Sequence, residues 1–243
     1  MEKNISFDAA IVRSILVKVA WPQLEMMKDE IDVIQVFAAG DEHTVTDLRI
    51  QEKEGKLLIE QPTYGLSMDI VNSKWMQIIV RVPLNWKGDI EAATISGHLS
   101  ARRLSGRNIS LDSVTGDLHA VSLSAIDMSV KTISGSIKAN ELSGDKLSLR
   151  SVSGDINVQG SHFKTIRSSS VSGKHRIELV ETFDKLDVST VSGDTELRIV
   201  DQNIEAVLRS ISGRIRTRGV ALTDAGPRIC VTSVSADVAI SCE

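Results

Sequence analysis

Thr94-Ile95-Ser96-Gly97, Ser113-Val114-Thr115-Gly116, Thr132-Ile133-Ser134-Gly135 and Ser151-Val152-Ser153-Gly154 repeat one tetrapeptide: hydroxyl, β-branched aliphatic, hydroxyl, glycine. Further copies end at Gly173, Gly193 and Gly213, and a degenerate Ser-Val-Ser-Ala ends at Ala236. The intervals between these anchors are 19, 19, 19, 19, 20, 20 and 23 residues. A fixed period near twenty is the signature of a stacked solenoid, in which each repeat is one structural unit that buries its apolar face only against its neighbours.

Offsets from the anchor support that reading. Seven residues before it stand Ile90, Ile109, Met128, Leu147, Ile166, Leu186, Ala206 and Ile229, and five before it Ala92, Leu111, Val130, Leu149, Ser168, Val188, Leu208 and Val231. Two after it, Leu99, Leu118, Ile137 and Ile156 give way to His175 and Thr195, and four after it come Ala101, Ala120, Ala139, Val158, Ile177 and Leu197. Spacing by two within each run marks strands with one face inward. Position −2, which holds only Ile or Val, is grouped with the inward positions. The expected fold is all-β: a single-stranded parallel β-helix with 19–20 residues per coil over residues 89–243 and an irregular N-terminal β cap over residues 1–88. At a strand spacing of about 4.8 Å the stack would be on the order of 35 Å long.

Within the N-terminal region, alternation predicts strands at Ile11 to Val19, Ile31 to Ala38 and Trp75 to Val82. Val45 to Glu52 and Lys56 to Glu60 read as a hairpin around Glu54-Gly55, and Pro22 as the start of a short helix through Glu30.

Composition narrows the function classes. A net charge of −4 with an isoelectric point near 5.8 gives no basic footprint for nucleic acid. Aromatic residues are only 3% of the chain, and Trp21, Trp75 and Trp86 all precede the repeats, so the coils offer no stacking platform for sugars or bases. No run approaches the 18 apolar residues of a membrane span, and no leader pattern is legible at the start, so the sequence as it stands reads as cytoplasmic. Cys230 and Cys242 are expected to be reduced thiols.

Charges at equal offsets alternate along the later coils. Position +1 runs Lys174, Asp194, Arg214, Asp237, and position +3 runs Arg176, Glu196, Arg216, which predicts cross-strand ion ladders. The alternative is a basic binding face of Lys174, Arg176, Arg198, Arg214, Arg216 and Arg218. His175 and Thr195 break the apolar rows at neighbouring positions; the histidine reads as a satisfied interior residue, with a local bulge of the coil or a functional role as the alternatives. The hydroxyl rows at −3 and −1 read as turn chemistry rather than an ice-binding array. Val238, Ile240 and Cys242 would lie inward on a final coil with nothing behind it, a candidate self-association end.

Catalytic patterns are absent from the sequence: there is no HExxH, GxSxG, phosphate-binding loop or calcium-binding nonapeptide, and the five histidines share no ligand spacing. No enzyme activity, cofactor or metal is expected. The repeats Ser151 to Asp155, Thr190 to Asp194 and Ser113 to Asp117, with the lead-in Val80-Arg81-Val82-Pro83 and Gly88-Asp89-Ile90, resemble the bacterial "putative adhesin" family of β-strand-repeat domains. The resemblance implies a right-handed β-helix-like domain, often envelope-associated, and carries no catalytic residues. It leads to a non-enzymatic scaffold or binding module facing a protein or envelope partner. Two other readings stand beside it: a self-associating structural protein, homo-oligomeric through its coil ends, and a carbohydrate-active enzyme.

Overall fold

The computed structural model describes residues 1–61 and 75–242. The chain is all-β, and its one described helix, α1 (Glu42–Asp47), is a short turn at the start of the expected hairpin.

Each repeat supplies two strands joined at the Ser-Gly corner. Thus β8 (Asp89–Thr94) and β9 (Leu99–Arg102) form one coil, followed by β10 (Ser105–Ser113) with β11 (Leu118–Val121), and β12 (Ser124–Lys131) with β13 (Ile137–Asn140). Next come β14 (Ser143–Arg150) and the long bent β15 (Ile156–Ser172), then β16 (His175–Leu179). Successive coils pair in parallel with equal offsets opposed: Ile90, Ile109, Met128 and Leu147 are direct neighbours in one sheet, as are Leu99, Leu118 and Ile137 in the other. Inward residues of both sheets merge into one core. Burying aliphatic side chains at four offsets per coil is the main stabilising term, roughly 1.5–3 kcal/mol for each large one.

The corners explain the tetrapeptide. The hydroxyl at −3 points inward, and its oxygen accepts from the anchor N–H: Thr94 from Gly97 at 3.1 Å, Ser113 from Gly116 at 2.9 Å, Thr132 from Gly135 at 3.0 Å and Ser151 from Gly154 at 2.8 Å. The anchor itself rests on the backbone of the coil beside it. A Cβ on Gly135 would lie 2.1 Å from the Gly116 carbonyl oxygen, and one on Gly154 would lie 1.8 Å from that of Gly135. The requirement at these anchors is therefore space rather than a left-handed backbone. The aspartate after the anchor also bridges coils. Asp117 accepts from the Ser136 N–H and Asp155 from the Lys174 N–H, both at 2.8 Å. Position +1 is thus a row of backbone acceptors and not the expected ion ladder.

The coils do not stack in chain order. After β17 (Lys185–Ser192) and β18 (Thr195–Ile199), the chain skips one strand spacing to lay down β19 (Asn203–Ser210) and β20 (Ile215–Arg218). It then returns through β21 (Ala221–Leu222), and the last segment fills the gap: β22 (Arg228–Ser235) pairs with both β17 and β19, and β23 (Val238–Cys242) with both β18 and β20. Asp194 accepts from the Asp237 N–H, and Asp237 in turn from the Arg214 N–H. The expected open end at Val238, Ile240 and Cys242 is corrected accordingly. Val238 and Ile240 are each 1% exposed because strands flank them on both sides. The long 23-residue interval is the length needed to double back.

The beginning of the chain does the same. β2 (Ser14–Val19) and β3 (Gln23–Asp29) pair in parallel with β8 and β9, and on their other side with β6 (Lys56–Glu60) and β7 (Met76–Pro83). The helix expected after Pro22 is strand, because Leu24 and Met26 are claimed by the core. Pro22 takes the anchor position: a Cβ on Gly97 would meet its carbonyl oxygen at 1.9 Å. Lys28 pins this coil, donating to the Leu84 carbonyl at 2.7 Å and the Ser105 hydroxyl at 2.6 Å. Burial, aided by the nearby Lys87 charge, lowers its pKa. Antiparallel strands close this end: β4 (Val33–Gly40) on β7, β1 (Glu2–Asp8) on β4, and β5 (Arg49–Lys53) on β6.

Two outcomes follow. Gly135→Ala forces the coils apart at the corner and lowers stability by on the order of 2 kcal/mol in urea unfolding. Ser189 is the direct neighbour of Thr232, and Arg209 lies on the far side of Thr232. A Ser189→Cys/Thr232→Cys variant should therefore crosslink on mild oxidation, read as a mobility shift on non-reducing gels, whereas crosslinking of Ser189→Cys/Arg209→Cys would contradict the interleaved order.

Candidate functional site

Position −2 lies beyond the inward hydroxyl at −3, so alternation turns it outward, and its assignment to the core is corrected. Ile95 (48% exposed), Ile133 (48%), Val152 (45%), Val171 (51%) and Val191 (48%) are all open to solvent, as are Val114, Val234 and Ile211. The Ile133 N–H donates to the Val114 carbonyl and the Val152 N–H to the Ile133 carbonyl, which sets these residues one strand spacing apart. Eight coils therefore carry a continuous aliphatic ridge along one corner, with Ser or Thr beside it at −1. At its cap end Ile95 and Val114 enter a pocket of ≈ 440 Å³, where Lys18, Arg49, Glu60 and Asp112 bring charge beside the apolar wall. A longer groove of ≈ 730 Å³ crosses the outer face of one sheet over a column of Ser110, Ser129 and Ser148. Opposite charges pair along it, Lys146 with Asp127 at 3.7 Å.

The interior holds a second polar feature. His175 is 1% exposed and Ser168 fully buried. Ser168 Oγ lies 2.8 Å from Nδ1, and Ser170 Oγ lies 2.6 Å from Nε2 and 3.1 Å from Thr190 Oγ1. Thr190 donates to the Ser192 carbonyl at 3.3 Å, so it accepts from Ser170, which in turn accepts from an Nε2–H. The network thus selects a neutral imidazole with Nδ1 accepting from Ser168. Here the corner changes: the Ser170 hydroxyl serves His175 in place of the anchor N–H, and Gly173 takes a φ of 124°. The expectation of an interior histidine is met for its ring nitrogens, while the neighbouring Thr195 hydroxyl finds no partner. The arrangement places a serine against a histidine, but nothing reaches it from solvent.

The sequence-derived basic face is divided by the interleaved coil. Arg176 and Arg198 close on Glu196 at 3.0 and 3.3 Å, and the Arg176 hydrogen bond leads in holding that carboxyl below its ordinary pKa. Lys174 gives its backbone N–H to Asp155. Arg216 was expected beside Glu196, but Ala239 stands between them. Arg216 and Arg218 lie on the outermost strand β20 and Arg214 immediately before it, separate from the other three. Cys230 and Cys242 form no disulfide among the described residues, and the Cys242 thiol donates to the Val200 carbonyl at 3.4 Å. Among the described residues no three His, Cys, Asp or Glu side chains converge to hold a metal, and no helix is long and apolar enough to cross a membrane.

The sequence matches the family described as Toastrack DUF4097 over residues 12–224, and the chain belongs to that family. Solved structures share its fold at low identity. One, described as a "putative adhesin" from Parabacteroides distasonis ATCC 8503, is 14% identical with a TM-score of 0.64, covering 98% of this chain and 96% of that one. Another, a "putative lipid binding protein" from the same organism, is 14% identical with a TM-score of 0.62 over the same shares. A "putative adhesin" from Bacteroides fragilis NCTC 9343 is 12% identical with a TM-score of 0.57, covering 99% and 97%. No curated protein matches the sequence.

Burial lowers the His175 pKa from 6.5 to about 4, the charge of Asp155 opposing the shift. Above pH 6.5 the ring is neutral folded or unfolded and contributes no slope. Below it the unfolded chain takes up the proton first, so stability falls by about 3 kcal/mol between pH 6.5 and pH 4. Urea unfolding of His175→Leu should start from lower stability at pH 7 and lose less than the wild type across that window.

Proposed function

We propose that the protein is a non-enzymatic binding module, a right-handed parallel β-helix that presents its aliphatic ridge to a protein or envelope component. The handedness follows the strong preference of crossovers between parallel strands. The observation that carries the reading is the ridge: eight solvent-facing positions, each Ile or Val, where folding alone would tolerate polar residues. A patch that long is the kind of surface that marks an interaction site. Relatives in fold described as adhesins and as a lipid-binding protein are consistent with it. Envelope association belongs to this proposal, and the closed surroundings of His175 and its two serine partners, Ser168 and Ser170, support the non-enzymatic reading.

The test is the double variant Ile133→Asp/Val152→Asp. Both side chains are about half exposed, so folding should cost no more than roughly 1 kcal/mol per site. Captures from the native source with wild type and variant are compared, alongside flotation with anionic and zwitterionic vesicles. Partners or vesicles held by the wild type and released by the variant support the ridge; identical binding by both would refute it. Polysaccharide turnover by the purified protein would overturn the non-enzymatic reading.

A further inference from the structure

The end of the stack opposite the antiparallel cap is formed by the coil of β19 and β20. Among the described residues, β20 pairs only with β23. In β19, Glu205 donates its N–H to the Pro227 carbonyl on the side of β22, so by alternation the even residues face away from β22. Thr223 and Ala221 donate to the Ile204 and Gln202 carbonyls on that outer side, and β21 covers the edge only there. The N–H and C=O groups of Ala206, Leu208 and Ser210, and those of Ile215 and Thr217 in β20, are left pointing outward. An inward position of this coil is also uncovered, Ile215 being 42% exposed, and Leu222, opposite Ile204 on β21, is 59% exposed. An edge of this kind recruits another strand unless it is protected.

Its charges specify the strand. Along much of the stack, charges are met by their opposites at the same offset in the adjacent coil: Lys164 with Asp145 at 2.8 Å, Arg176 with Glu196 at 3.0 Å and Arg228 with Glu205 at 3.5 Å. Lys131 with Asp112 and Lys146 with Asp127 do the same, while Lys131 with Arg150 and Lys185 with Arg228 set like charges side by side. At the open coil Arg209, Arg214, Arg216 and Arg218 are exposed, and no ion pair forms at any of them among the described residues. Arg214, Arg216 and Arg218 alternate with Ile215 and Thr217, so the coil that completes the pattern carries acids at every second position and apolar residues between them.

We infer that this edge is a docking site for an extended acidic segment of a partner protein. The segment adds a parallel or antiparallel strand to β19 or β20, with its acidic side chains against the arginines and its apolar ones over Leu208 and Ile215. A second copy joined end to end by a two-fold axis would set arginine against arginine, so charge argues against self-association here. The site is distinct from the ridge and does not depend on it.

The probe is a short, capped, dye-labelled peptide in which glutamate alternates with valine, titrated against the full chain by fluorescence anisotropy. Expected results are saturable binding that weakens with salt, and a loss of about tenfold or more in Arg216→Glu/Arg218→Glu. The neighbours of these residues in β23 are Ala239 and Ser241, so the charge reversal meets no acid in the next strand and the variant should keep its circular dichroism spectrum. Arg216→Ala, with a smaller loss, serves if the double variant does not fold. A lysine–valine peptide should bind the double variant and not the wild type, and methylating alternate peptide nitrogens should abolish binding by removing the strand pairing. The inference is overturned if the glutamate peptide does not bind, if the lysine peptide binds wild type equally, or if N-methylation has no effect. It is also overturned if sedimentation shows a stable dimer that excludes the peptide.

Discussion

Each coil of this protein sits so close to the next that, at the corner, only a hydrogen atom fits between an α-carbon and the carbonyl oxygen beside it. Gly116 rests on Gly97, Gly135 on Gly116 and Gly154 on Gly135. The contact fixes the offset of one coil against the next, and a fixed offset brings the remaining devices into line. Inward aliphatic residues meet their equals, the −3 hydroxyl caps the anchor N–H, and the following aspartate reaches the next coil's backbone. A shift of one residue would turn every core side chain to solvent.

That equal-offset rule also allows coils to be interleaved. Every coil offers the same edge, so a late strand can enter between two earlier ones without a change of register. The chain uses this at both ends. Its first coil lies between the next two in sequence, and its last lies between the two before it, so both are paired on each side. The weak edge is displaced to an internal stretch, residues 203–218, where the free arginines gather. At the opposite end, antiparallel strands close the stack, which gives the molecule one protected and one open face.

The polar interior around His175 shows what happens when a coil abandons the aliphatic pattern. Ser168 and Ser170 replace packing with two hydrogen bonds to a neutral ring, and the anchors of this coil and the next, Gly173 and Gly193, take positive φ. Such a network is stable only while the ring is uncharged, since a second ring N–H would leave a hydroxyl hydrogen without an acceptor. The ridge at position −2 is the outward counterpart: it arises because the inward hydroxyl takes the last core-facing position before the turn.

The twenty-residue period, the strands and the core positions at −7, −5, +2 and +4 were legible in the sequence alone, because each depends on residues a few positions apart. Even the hidden first coil left its mark there. Ile15, Val17, Leu24 and Met26 keep those offsets around Pro22, a signal masked by proline where glycine was the guide. Similarly, the apolar character of position −2 was evident, but its direction depended on the corner hydrogen bond. The order of the coils and the location of the open edge were decided only by the tertiary structure. Coils of equal offset are interchangeable as neighbours, so local pattern carries no record of which one pairs with which. That choice rests on the lengths of the connections and on which arrangement leaves the least core uncovered.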